Sequence, residues 1–74
     1  MSFVVEVASV PDRETVVAEI WFGDTMVAEV VGNEASNFRI EIYPNPNGAP
    51  WSFDLEAFAD ALKLAKERLS GKKA

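Results

Sequence analysis

The amino-acid sequence predicts an α+β domain in which an antiparallel β-meander of about four strands (ββββα) packs against one C-terminal amphipathic helix. Three observations carry this reading. Stretches of period-two alternation rich in β-branched residues occupy most of residues 3–43, and Gly23-Asp24 joins two of them with hairpin chemistry. From Leu55 onward, apolar residues recur at helical spacing instead.

The first strand is expected over 3–9, where Phe3, Val5 and Val7 alternate with Val4, Glu6 and Ala8. Val10-Pro11-Asp12-Arg13 stops it, since Pro11 has no amide proton for a ladder and Pro-Asp favours a turn. Strands over 15–22 and 25–31 flank Gly23-Asp24, a pair suited to a two-residue type II′ loop.

Two registers fit that hairpin. A two-residue loop sets Trp21 opposite Met26 and Ile20 opposite Val27, with Glu19 and Glu29 on opposite faces. A three-residue loop with a bulge sets Glu19 beside Glu29 and turns Ala18, Ile20, Phe22, Met26, Ala28 and Val30 inward. The first mixes polarity on one face; the second juxtaposes like charges.

The polar cluster Gly32 to Asn37 makes a turn, and the fourth strand follows over 38–43, with Phe38, Ile40 and Ile42 alternating against Arg39, Glu41 and Tyr43. Residues 44–50 form a loop stiffened by Pro44, Pro46 and Pro50, with Asn47-Gly48 supplying a positive-φ turn. Trp51 is read there as a connector residue that closes the core, in preference to a binding-loop residue flanked by Tyr43.

The helix is expected over 55–69. Asp54 is its N-cap, and Phe53 and Phe58 form a hydrophobic staple. Leu55, Phe58, Leu62, Ala65 and Leu69 make an apolar stripe that Ala59, Ala61 and Leu64 widen. Asp54 and Glu56 suit the positive end of the helix dipole, Lys66 and Arg68 the negative end, and Gly71 is placed to stop the helix. Residues 70–74 read as a loose tail, and the whole of 1–74 as a single domain.

A domain of 74 residues buries only about 60% of the surface its unfolded chain exposes. Its core is thin, and with no cysteine no disulfide reinforces it. The missing disulfide framework and the absence of a basic, long-apolar leader at Met1-Ser2-Phe3-Val4 lead us to expect a cytoplasmic protein. No apolar run approaches the ~20 residues that span a bilayer, so no membrane association is expected.

Charge is divided along the chain. Residues 1–62 carry eleven acids against two bases, Arg13 and Arg39, a net of −9. The last twelve residues carry five bases against Glu67, a net of +4. The strands should therefore form an anionic body that repels polyphosphate and attracts basic surfaces.

Histidine and cysteine are both absent, which removes the commonest zinc ligands, the commonest general base and the thiolate nucleophile. No phosphate-binding glycine loop, nucleophile elbow or EF-hand loop is present. Asp54, Glu56 and Asp60 cluster on the first helical turns, where capping and dipole complementarity account for Asp54 and Glu56, while Asp60 reads as solvated. No catalytic residue, metal, cofactor or small-molecule ligand is expected. An enzyme built on paired carboxylates or an oxygen-ligated metal is the third-ranked reading.

The leading expectation is a non-catalytic protein-binding or self-associating module: a homodimer, or a small acidic inhibitor of the antitoxin or immunity type that meets a basic protein. Candidate binding residues are Trp21, Glu19, Glu29, Arg39, Glu41 and Tyr43, because aromatic and arginine anchors amid complementary charge are what interfaces use. A solvated sheet face is the plainer explanation of the same carboxylates. Val17, Trp21 and Val31 should add an apolar patch on the side away from the helix.

A four-stranded meander followed by a helix also resembles, in element order, the positive-cofactor type of transcriptional coactivator domain. That resemblance implies a dimer that binds single-stranded nucleic acid on its sheets. The likeness carries no motif, so no residues are transferred, and the basic groups here lie on the helix end. Nucleic acid is the alternative partner and not the expected one.

Overall fold

The computed structural model describes residues 2–9, 16–32 and 37–70. The elements are β1 (Phe3–Ser9), β2 (Val16–Phe22), β3 (Thr25–Val31), β4 (Arg39–Ile42) and α1 (Leu55–Leu69). The four strands form one antiparallel sheet in the order β1-β2-β3-β4, with the helix packed on one face. This is the α+β ββββα arrangement. β4 is shorter than the alternation implied, ending before Tyr43. Five expected features lie wholly or partly outside the described residues: Thr15 at the start of the second strand, the turn at Val10 to Arg13, the middle of the turn from Gly32 to Asn37, the helix stop at Gly71 and the tail beyond it.

The β2–β3 hairpin combines both registers that the sequence allowed. At its tip Phe22 faces Thr25 and Trp21 faces Met26, so the loop has two residues. Gly23 has φ 67 and among the described residues no non-glycine residue, Asp24 included, adopts positive φ, which is the type II′ pattern. The register then shifts, and Ile20 faces Ala28, not Val27 as the simple two-residue reading required. Val27 is the extra residue of a β-bulge, so it and Ala28 both turn inward and both are fully buried in the core. Met26 is thereby placed opposite Trp21 and faces outward, correcting the inward placement of the three-residue reading. The bulge reconciles a tight turn with a consistent inward face.

The inner face carries Val5, Ala18, Ile20, Val27, Ala28 and Val30 against Ala61 and Ala65 of α1. Phe58, Leu62, Leu64 and Leu69 of α1 pack around these two buried alanines while remaining partly buried. Around the hairpin end, Phe53 is the hub of an aromatic cluster, with centroids 4.9 Å from Phe3, 5.1 Å from Phe22, 5.1 Å from Trp51 and 5.3 Å from Phe58. Each such pair adds about 0.5–1.5 kcal/mol beyond its buried area. The Phe53–Phe58 contact is the staple, and Asp54 caps the helix by accepting from the Ala57 amide at 2.9 Å. At the other end the Ser70 amide donates to the Lys66 carbonyl at 3.0 Å, so Ser70 closes the helix.

Trp51 has the connector role. Its indole Nε1 donates to the Tyr43 carbonyl at 2.8 Å and its ring stacks on Phe53. The preceding loop is self-bonded, with Gly48 at φ 83 and its amide donating to the Asn45 carbonyl.

Two stripe assignments need correction. Leu55 is 81% exposed and Ala59 is also exposed. The helix lies across β1 and β2, reaches β3 and makes no contact with β4. A helix about 10 Å across cannot roof four strands spaced about 4.8 Å apart. For the same reason Ile40 and Ile42, whose register puts them on the helix side, remain 41% and 61% exposed.

Candidate protein-interaction surface

Residues directly opposite in adjacent strands share a face. Glu6 faces Glu19, Glu19 faces Glu29, and Glu29 faces Glu41, so four glutamates form one row across all four strands. The row lies on the face away from the helix, because its neighbours Val5, Ala18, Ile20, Ala28 and Val30 point into the core. Trp21 and Tyr43 stand two residues from Glu19 and Glu41, and Arg39 two residues on the other side of Glu41. Alternation puts all of them on this outer face. The six candidate binding residues are thus brought together.

Like charges directly opposite one another destabilise a sheet. Two aromatic donors answer part of that cost. The Trp21 indole donates to Glu19 Oε1 at 3.1 Å, and the Tyr43 hydroxyl donates to Glu29 Oε1 at 2.8 Å. Glu29, in the central strand beneath the tyrosine, is only 8% exposed, whereas Glu6 and Glu41 are exposed to solvent. The face is graded, with a buried carboxylate near its middle and solvated ones at its margins.

The apolar part of this face is smaller than the sequence implied. Val17 is fully buried and Val31 is half-buried. What remains is Val4, 47% exposed, beside half-buried Trp21 and Met26, which the register sets in one line. A short apolar row therefore runs alongside the acidic one.

Sequence reasoning missed the exposure of Ile40 and Ile42. The signal available was the width of one helix against four strands, which limits cover to about two of them.

Among the described residues, no three acidic side chains converge as metal ligands would. A shallow groove of about 270 Å³ runs between β1 and α1, lined by Ser2, Phe3, Val5, Ala57, Asp60, Ala61 and Leu64. Its polar side chains are Ser2 and Asp60. Among the described residues no helix is long and apolar enough to cross a membrane.

The chain matches no protein-family model, no curated protein and no solved structure.

Proposed function

We propose that this chain is a non-catalytic protein-binding module whose outer sheet face docks a basic partner. The observation that carries the reading is the alignment of Glu6, Glu19, Glu29 and Glu41 in one row beside Val4, Trp21 and Met26. Solubility alone does not call for such a row, because interspersed lysines would solvate the face without opposing folding. A cationic surface relieves the repulsion, so the row costs stability in the free chain and gains from binding. The flanking indole supplies the amphipathic anchor on which interfaces concentrate their energy.

Acidic inhibitors of the antitoxin or immunity type, working in a cytoplasmic setting, fit this chemistry. Binding of a polyphosphate strand to the same face is opposed by the four carboxylates, which weighs against the nucleic-acid reading.

Site-specific photo-crosslinking in the producing cell tests the reading. A photoreactive residue at position 6 should capture a basic protein, whereas one at exposed Lys63 on the helix should not. Equal capture at both positions, or capture at 63 alone, would contradict it.

A further inference from the structure

We infer that the open edge of β4 pairs with the β4 of a second copy, antiparallel and with Ile40 on the two-fold axis, to give a continuous eight-stranded sheet. This rests on the association reading above and names the surface and the register.

The two edges of the sheet are treated differently. At β1, Arg68 of the helix reaches over and its guanidinium donates to the Val5 carbonyl at 2.8 Å, which blocks the edge. At β4 the Tyr43 amide points inward, donating to the Val27 carbonyl at 2.9 Å. Backbone groups alternate in direction along a strand, so Arg39 and Glu41 also pair inward while the N–H and C=O of Ile40 and Ile42 face out. Among the described residues no hydrogen-bonding group meets them. Pro44, next in this outward series, has no N–H and marks where pairing stops.

Only one register of self-pairing suits the side chains. With Ile40 opposite the second copy's Ile40, Arg39 falls opposite Glu41 and Glu41 opposite Arg39 on the outer face. On the helix side Ile42 falls opposite Phe38, so the isoleucines that α1 leaves uncovered gain apolar cover. Sliding by two residues puts Glu41 opposite Glu41 or Arg39 opposite Arg39, which like charge disfavours. The surface is self-complementary, as a two-fold interface requires. Both acidic rows then share one face, broadening the docking surface.

So short an edge lies at the low end of interface sizes, and a dissociation constant of about tens of micromolar is expected. Sedimentation equilibrium on the full chain up to about 500 μM tests it, with circular dichroism to confirm folding. Arg39→Glu and Glu41→Arg should each weaken the dimer by about tenfold or more, and the double variant should restore it to within about threefold. Ile40→Pro removes an outward N–H without touching the β3 ladder and should abolish the dimer; if it does not fold, the charge variants decide.

A monomeric wild type at 500 μM, a dimer indifferent to both single charge variants, or a double variant as weak as the singles would overturn the inference. Arg39 and Glu41 belong to the docking face as well, so docking is judged on the wild type and on Ile40→Pro, a position whose side chain lies on the helix side opposite Val30. A monomer that still crosslinks a basic protein through position 6 would therefore sink the edge pairing and leave the proposed docking face standing.

Discussion

The Tyr43 hydroxyl donates to Glu29 Oε1 at 2.8 Å, which places a phenol over a carboxylate that is only 8% exposed. A buried carboxylate deprived of a donor loses a charge-assisted bond. Tyr43→Phe should therefore cost about 1–2 kcal/mol in urea denaturation. Glu29→Gln keeps an acceptor and removes one charge from the row, and should fall within about 0.5 kcal/mol of wild type. A Tyr43→Phe chain as stable as wild type would show that the contact contributes nothing.

Removing charge from the margin of the row should help folding. Glu6 is exposed and opposite Glu19, and Glu6→Thr should raise stability by about 0.5 kcal/mol at low salt. The gain should shrink as the screening length contracts from about 30 Å at 0.01 M to about 3 Å at 1 M salt. Thermal melts at the two salt concentrations check both the sign and its attenuation.

The bulge makes neighbouring residues unequal. Val27→Ala, at a fully buried inward position, should cost about 2 kcal/mol, while Met26→Ala, outward and half-buried, should cost under about 1 kcal/mol. Chemical denaturation of the pair should show that order. The reverse order would mean that the strand lacks the bulge and Met26 points inward.

The helix makes a similar contrast. Leu55→Glu, at an exposed first-turn site favourable to an acid, should change stability by no more than about 0.5 kcal/mol. Ala65→Leu, at a position with no exposed surface, should cost about 1–3 kcal/mol through overpacking. Equal effects in urea melts would contradict the placement of α1 over β1 and β2.

The elements legible in the sequence were those set by local chemistry. Gly23-Asp24 announced the hairpin, and Asp54 between Phe53 and Phe58 fixed the helix start to the residue. The bulge was not legible, because Met26-Val27-Ala28 is apolar throughout and period-two alternation has no contrast there. Two-residue spacing puts Glu19 with Trp21 on one face of β2 and Arg39 with Glu41 and Tyr43 on one face of β4, but joining both sets to Glu29 took the bulged register of the hairpin. The unbroken glutamate row needed the register of three strand pairs, which alternation within one strand does not specify. Exposure of Leu55, Ile40 and Ile42 depended on where the helix lies across the sheet, a non-local property that a helical stripe does not encode.

Backbone and indole NMR shifts of the labelled chain, titrated with a lysine- and arginine-rich peptide at low salt, probe the docking face most directly. Perturbations should centre on Glu6, Glu19, Met26 and the Trp21 indole, with affinity falling as salt rises. Shifts confined to α1 or the loop before it, or none at all at low salt, would contradict the proposed docking face.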